Sequence, residues 1–138
     1  MAKWLKVIGT SAQRFRDNGR VEAAHLVTKA TFPERGHMKY RPSVAPGDQL
    51  VYHAIGKDVS RVVAIADVVG PVHYEAGADP SFPWVCDVRI RTKRDRVEDG
   101  VPLEELNSDE RDLRQSVSQK SHIELTEAEF ARAERALS

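Results

Sequence analysis

One short segment of the chain combines cationic and aromatic side chains without any strand or helix periodicity. It runs from residue 31 to residue 43, TFPERGHMKYRPS, and contains Arg35, His37, Lys39 and Arg41 interleaved with Phe32, Met38 and Tyr40. A cation can bind a phosphate, and an aromatic ring can stack on an exposed base, so this composition favours contact with nucleic acid. A solvated surface loop held by one or two aromatic anchors explains the same residues equally well.

A second concentration of positive charge lies in PWVCDVRIRT, residues 83–92, which has the clearest strand alternation in the chain. One face carries Trp84, Cys86, Val88 and Ile90, and the other carries Val85, Asp87, Arg89 and Arg91. The pattern predicts a strand with one core face and one cationic face. Arg89 and Arg91 are therefore candidate phosphate ligands. A solvated strand face whose positive charge is balanced by nearby acidic side chains explains the pattern at least as well.

Other site chemistries are poorly supported by the sequence. The five histidines, His25, His37, His53, His73 and His122, show no helical pairing, and Cys86 is the single cysteine. Metal sites usually need such residues in clusters, so no metal site is predicted. There is also no Gly-x-Ser-x-Gly elbow, phosphate-binding glycine loop or dinucleotide fingerprint. We expect no cofactor and no catalytic set.

Length and composition set broader limits on the kind of protein. The chain has 138 residues and equal numbers of basic and acidic side chains, 21 of each. This length suits one domain, residues 1–138. Zero net charge disfavours non-specific coating of nucleic acid but allows a local basic surface. No apolar run reaches the roughly 20 residues of a membrane span, and no apolar leader is present, so we expect a cytoplasmic protein.

The elements that would position these residues are centred on the stretch from Val44 to Gly70. A Pro46-Gly47-Asp48 turn precedes a strand over residues 49–53, and a buried strand over residues 61–69 follows, which predicts a central hairpin. Strands are also predicted at residues 3–8, with Trp4 and Lys6 on one face, and at residues 22–28. We expect a short helix over residues 11–15 and a loop over residues 71–80.

The C-terminal third is predicted to contain two short helical turns over an edge of the sheet and a final helix, and residues 116–123 between them are ambiguous. Residues 102–107 and 109–115 read as two short helical turns with Leu103, Leu106 and Leu113 pointing inward. Thr126 and Glu129 form a capping-box pattern at the start of a final helix.

The order of these motifs is similar to that of a known family. Gly47-Asp48, then Val51-Tyr52-His53, then the small-residue strand ending in Ala64–Val68 resembles the middle of an EVE domain. The likeness extends from Lys3-Trp4-Leu5 to Leu125–Phe130. EVE domains belong to the PUA-like superfamily and are related to YTH readers of methylated RNA. The resemblance implies an α+β fold, in which a strongly curved mixed sheet forms a pseudo-barrel flanked by short helices.

The same resemblance implies a pocket for a flipped, modified base in DNA or RNA. By position, Trp4, Tyr52, His53 and Trp84 match family residues. The segment Ala23–Val27 lacks the tryptophan that the family commonly has there, so Phe32 or Tyr40 would supply that wall. The expected base pocket is Trp4, His25, Tyr40, Tyr52, His53 and Trp84, and the expected phosphate ligands are Lys39, Arg41, Arg89 and Arg91.

Three readings of the function remain at this point. The first is a non-catalytic nucleic-acid-binding module that recognises a modified base. The second is an enzyme acting on a modified nucleoside, as in the related ASCH domains, and the third is a module for a small metabolite or a protein. An unpaired edge strand would allow a weak homodimer, but no exposed apolar stripe distinguishes a dimer from a monomer.

Overall fold

The computed structural model describes residues 1–8, 29–32, 43–56, 59–74, 84–108, 111–117 and 122–138. These residues contain eight strands: β1 Lys3–Ile8, β2 Lys29–Phe32, β3 Gln49–Gly56, β4 Val59–Val68, β5 His73–Tyr74, β6 Trp84–Lys93, β7 Val101–Pro102 and β8 His122–Leu125. They also contain 3-10 turns at Val97–Asp99 and Leu103–Leu106 and two α-helices, α1 Leu113–Val117 and α2 Glu127–Leu137.

The strands form one curved mixed sheet in the order β2-β6-β4-β3-β1-β8. β1 runs parallel to β3, and the remaining pairs are antiparallel, including the central hairpin of β3 and β4. The short strands β5 and β7 pair with β6 and β4. This architecture confirms the α+β fold that the EVE resemblance implied.

The turn that begins the hairpin is held by one buried carboxylate. Gly47 has a φ of 92°, which L side chains rarely adopt, and this lets the chain reverse before Asp48. Asp48 Oδ2 accepts hydrogen bonds from the Trp4 indole and the Ala45 amide, both at 2.9 Å, while Oδ1 accepts one from the Ala2 amide at 3.0 Å. The start of β1 is therefore fixed to the start of β3.

The two faces of the sheet carry two separate cores. The inner face, as we call it, carries Leu50, Tyr52 and Ala54 of β3, Ala64 and Ala66 of β4, and Cys86 and Val88 of β6. The helix face carries Leu5, Val51, Val62 and Ile65, which pack with the buried side chains of the C-terminal elements. Two irregularities in register, at Tyr52/His53 and at Ile65/Ala66, let the strands bend around the inner face.

The C-terminal elements cover the helix face as predicted. Leu103, Leu106 and Leu113 are fully buried there. Helix α2 begins with the expected capping box, in which Thr126 Oγ1 accepts from the Glu129 amide and the Glu129 carboxylate accepts from the Thr126 amide. The same carboxylate is fully buried and pairs with Arg111 Nη2 at 2.7 Å, so the cap is also an ion pair.

Two sequence-based boundaries were wrong. The segment predicted as a loop from residue 31 begins inside β2, because Thr31 and Phe32 continue a strand that pairs with β6. The predicted loop over residues 71–80 contains β5, two residues that pair with Val85 and Trp84. The predicted helix at 11–15 and strand at 22–28 lie outside the described residues. No helix among the described residues is long and apolar enough to cross a membrane.

Candidate functional site

Polar side chains lie side by side on the inner face where β3, β1 and β8 are paired, at one end of the sheet order. Lys6 of β1 is in register with Tyr52 of β3 on one side and with His122 of β8 on the other. Residues paired in register project to the same face, so these three side chains are neighbours. Lys6 and Tyr52 are both buried, and the adjacent positions on β3 and β4 are the small Ala54 and Ala64.

Tyr52 is the most buried of the described aromatic site predictions. Its side chain is 1% exposed, and its hydroxyl has no hydrogen-bond partner among the described residues. Burial raises the pKa of Tyr52, and the nearby Cys86 thiol raises it further, so the phenol is neutral and can donate a proton to an acceptor. A buried hydroxyl without a partner costs about 1–3 kcal/mol, which makes Tyr52 a polar group placed where packing alone would favour phenylalanine.

Lys6 is a buried cation that was not among the predicted site residues. Its Nζ donates a hydrogen bond to the Val7 carbonyl at 2.8 Å. Burial lowers the pKa of Lys6 to about 8, while the Cys86 thiol acts in the opposite direction. The side chain therefore carries its charge at neutral pH and loses it at moderately alkaline pH. The alternation of β1 placed Lys6 beside Trp4, but nothing local to β1 indicated that this face is enclosed.

An aromatic pair lies at the start of β6. Trp84 is half-buried against the inner core, and its ring meets that of Tyr74 edge to face at 5.3 Å and 81°. The Trp84 Nε1 atom is buried, and the part of the chain that the structure describes offers it no hydrogen-bond partner. Tyr74 is 49% exposed, so the pair combines a buried donor with an accessible ring. Tyr74 was missed because its strand is only two residues long.

Trp4 also faces the inner core, but its polar atom has a structural role. The indole Nε1 donates to Asp48 Oδ2, and the ring contacts His122 edge to face at 5.4 Å. Trp4 can therefore offer a ligand its ring but not its donor.

His53 lies on the opposite face of the sheet from Tyr52, because adjacent strand residues alternate. Its Nε2 lies 2.9 Å from Ser60 Oγ in a hydrogen bond, and its buried Nδ1 has no partner within the described ranges. Burial lowers the pKa of His53 to about 4, Arg114 lowers it further, and Glu104 opposes them. The imidazole is thus neutral under ordinary conditions and sits beneath the helical turns.

The two predicted phosphate ligands of β6 lie away from the inner face. Arg89 is exposed and is in register with Asp67 of β4. Arg91 forms an ion pair with Glu134 of α2 at 3.0 Å, beside the helix face. The predicted residues His25, Lys39, Tyr40 and Arg41 lie outside the described residues. Among the described residues, no three His, Cys, Asp or Glu side chains meet as metal ligands would.

No family model matches the sequence, and no curated protein matches it. Solved structures do match. A Rhodopseudomonas palustris protein solved by NMR has a TM-score of 0.62 at 14% identity, with 99% of this chain and 93% of that chain covered. A hypothetical protein from Leishmania major has a TM-score of 0.61 at 17% identity, with 98% and 93% covered.

A third match is human THYN1, an EVE domain solved in complex with DNA containing 5-methylcytosine. Its TM-score is 0.61 at 12% identity, and the alignment covers 95% of this chain and 94% of THYN1. The chain has the EVE-type, PUA-like fold. Identities this low establish the fold and leave the ligand to be argued from the residues of this chain.

Within this EVE-type fold, the inner face brings together three of the predicted pocket residues: Trp4, Tyr52 and Trp84. It adds Lys6 and Tyr74, which the sequence did not single out, and it excludes His53. The aromatic rings supply stacking surfaces, and the buried Tyr52 and Trp84 atoms supply unused polar contacts. The arrangement therefore places aromatic rings and polar atoms together on one face of the sheet.

Proposed function

We propose that the chain binds nucleic acid and holds a modified base against the inner face, without catalysing a reaction. The observation that carries the proposal is the pair of buried, unpartnered polar atoms, Tyr52 Oη and Trp84 Nε1. Native proteins rarely leave such atoms unpaired unless a ligand or water completes them. A base placed on this face would accept their hydrogen bonds and stack on the rings beside them.

The fold supports this choice of ligand over others. Human THYN1, with the same fold along nearly its whole length, was solved with DNA containing 5-methylcytosine. Unstacking a base from the nucleic acid costs a few kcal/mol, which contacts in the pocket must offset. Stacking on an aromatic side chain contributes about 1–3 kcal/mol per base. The Trp84 and Tyr74 pair offers such a surface, and Tyr74 is open enough for a ligand to reach.

In this proposal each group has a separate role. Tyr74 stacks on the base, while Tyr52 and Trp84 donate to its edge; Trp4 adds a ring surface. Arg89, which is exposed on the other face of β6, is the candidate for a phosphate contact outside the pocket, whereas Arg91 is held by Glu134. His25, Tyr40, Lys39 and Arg41 stay candidates from the sequence alone. His53 has no role in the pocket, since it faces the helical turns.

The first experiment is a fluorescence-anisotropy titration of labelled oligonucleotides with the purified protein. Single-stranded and double-stranded oligonucleotides would each be tested with and without one 5-methylcytosine, at low and at physiological salt. We expect tighter binding of a modified oligonucleotide and weaker binding at the higher salt, since phosphate contacts release counterions. Failure to bind any oligonucleotide at low salt would overturn the proposal, as would equal affinity for modified and unmodified ones.

Variants then separate base contacts from phosphate contacts. Tyr74→Leu removes an accessible ring and should weaken the modified oligonucleotide by about tenfold or more, within the range of one lost stacking contact. Arg89→Gln should weaken all oligonucleotides alike and reduce the salt dependence. Arg96→Gln is the matched control because it removes the same charge from a nearby arginine that is already paired with Glu98 at 2.8 Å. If the control weakened binding as much as Arg89→Gln, the phosphate role of Arg89 would be wrong.

A further inference from the structure

A cleft of about 420 Å³ lies between β6 and the C-terminal half of helix α2, away from the inner face. Its buried lining residues, Ile65 of β4 and Leu137 of α2, are apolar and belong to the core of the helix face. Its other described lining residues are polar or charged: Arg91, Thr92, Glu134, Arg135 and Ser138. Small-molecule sites combine an apolar surface with a few polar groups in clefts of this size. The cleft therefore has the size and composition of a ligand site.

An irregularity in strand pairing shapes this cleft. Ala66 of β4 is in register with Ile90 of β6. The preceding residue of β4, Ile65, is in register with Thr92, so Arg91 is an extra residue of β6, as in a β-bulge. Adjacent residues of a regular strand project to opposite faces, yet Arg91 and Thr92 both line the cleft. The bulge thus brings the Arg91 side chain to the side of the sheet on which α2 packs.

Positive side chains outnumber negative ones around the cleft. Arg91 contacts the Glu134 carboxylate through one guanidinium nitrogen, Nη2, at 3.0 Å, and its side chain is 40% exposed. Arg135 also lines the cleft and is exposed. Arg94 adds a guanidinium nearby, because its Nη2 donates to the Ala136 carbonyl at 2.7 Å. That bond satisfies a carbonyl at the C-terminus of α2, where the helix dipole would otherwise oppose an anion.

We propose that this cleft binds a small organic acid, in which a carboxylate is attached to an apolar body. The apolar part contacts Ile65 and Leu137, and the carboxylate lies between Arg91 and Arg135. A guanidinium holds a carboxylate through two parallel hydrogen bonds, which fix its orientation. A nucleic-acid strand would match the positive charge but not the apolar surface, because its backbone carries a phosphate at every nucleotide. The site is separate from the inner face, so the proposed function does not depend on it.

The test uses 2-naphthoate as the probe and 2-naphthamide as its neutral counterpart of the same shape, each titrated into the purified chain and followed by NMR. We expect 2-naphthoate to bind about tenfold or more tightly than the amide, because its contacts with the two arginines are charge-assisted. The backbone amide signals of residues 91–92 and 134–138 should shift, while those of residues 50–54 on the inner face should not. This readout needs no variant.

Three variants test the role of charge in the cleft. Arg135→Gln should weaken 2-naphthoate binding about threefold to tenfold and leave the amide unaffected. Glu134→Gln should strengthen 2-naphthoate binding, because Arg91 loses the carboxylate that competes with the ligand. Arg132→Gln is the matched control, since it removes the same charge from the same helix at a position outside the described lining of the cleft.

Each alternative has its own result. Equal affinity for 2-naphthoate and 2-naphthamide, or no binding of either, would overturn the inference. A loss in Arg132→Gln as large as that in Arg135→Gln would reduce the effect to total charge and would also overturn it. Shifts confined to residues 50–54 would place the acid on the inner face instead. If an unmodified oligonucleotide displaced 2-naphthoate from the cleft, the cleft would be a phosphate-binding surface and the organic-acid site would be wrong. Binding of a modified base on the inner face is measured separately and stands or falls by itself.

Discussion

Replacing Tyr52 with phenylalanine should make the free protein more stable and weaken its binding to a base. The substitution removes one oxygen atom and leaves the ring in place. In the free protein that oxygen is buried without a hydrogen-bond partner in the described part of the chain, so its removal takes away an unfavourable contribution to the free energy of folding. In the complex the same oxygen would hold the ligand, so its removal takes away a favourable one. If the hydroxyl only filled space in the core, its removal would not both stabilise the free protein and weaken base binding.

The expected sizes follow from the burial of the hydroxyl. An unsatisfied buried hydroxyl costs about 1–3 kcal/mol, so Tyr52→Phe should raise the free energy of unfolding by about 1–2 kcal/mol. For a chain of this length that corresponds to an increase in Tm of roughly 3–8 °C. One neutral hydrogen bond contributes about 0.5–1.5 kcal/mol, so affinity for the preferred oligonucleotide should fall about threefold to tenfold.

Urea unfolding followed by circular dichroism measures the first effect, and anisotropy titration measures the second. Tyr74→Phe is the matched control for stability, since it removes the same atom from a side chain that is 49% exposed. A change at an exposed position usually stays within about 0.5 kcal/mol. If Tyr52→Phe lowers the free energy of unfolding, its hydroxyl has a partner in the folded protein. The argument for an unused polar contact would then be wrong.

Three further predictions concern the framework around the site. The pKa of His53 is lowered to about 4, below the value of about 6.5 in the unfolded chain, so its stabilising contribution is complete above about pH 6.5 and is lost as the pH falls towards 4. The urea midpoint should therefore decrease as the pH is lowered from about 7 to about 5, and it should decrease less in His53→Gln. Equal pH dependence of the midpoint in the two proteins would contradict this. Glu129→Gln should cost about 2–4 kcal/mol in urea unfolding because it leaves the Arg111 guanidinium without its buried carboxylate, although glutamine can still accept from the Thr126 amide; a loss below about 1 kcal/mol would refute this. Gly100→Ala should cost about 1–3 kcal/mol because the new Cβ would lie 2.8 Å from a backbone oxygen, whereas Gly70→Ala, with its nearest contact at 3.5 Å, should stay within about 0.5 kcal/mol.

Much of the fold was predictable because its signals are local. The Gly47 turn needs a residue that tolerates positive φ, and the alternation in β6 needs only one buried face. The capping box of Thr126 and Glu129 likewise depends on four consecutive residues. The bounds of β2 and β5 were not predictable, because both are short strands that exist through pairing with β6.

The candidate site was predictable only in part, for a similar reason. Alternation places Tyr52 and His53 on opposite faces, so only one of them could belong to a given pocket. Which face is enclosed depends on the curvature of the whole sheet, and no local pattern contains that information. Lys6 illustrates the point, since a lysine on a strand usually marks a solvent-facing side, yet this one is 5% exposed.

The placement of β1 in the sheet has a consequence for how the chain folds. β1 is the first strand, yet it lies between β3 from the middle of the chain and β8 near its end, where Lys3 pairs with Leu125. Its backbone groups cannot all be paired until almost the whole chain has been synthesised. Contacts between residues so distant in sequence slow folding and leave an unpaired strand exposed meanwhile. The pairing of β1 with β3 can therefore form well before its pairing with β8, which joins the sheet late.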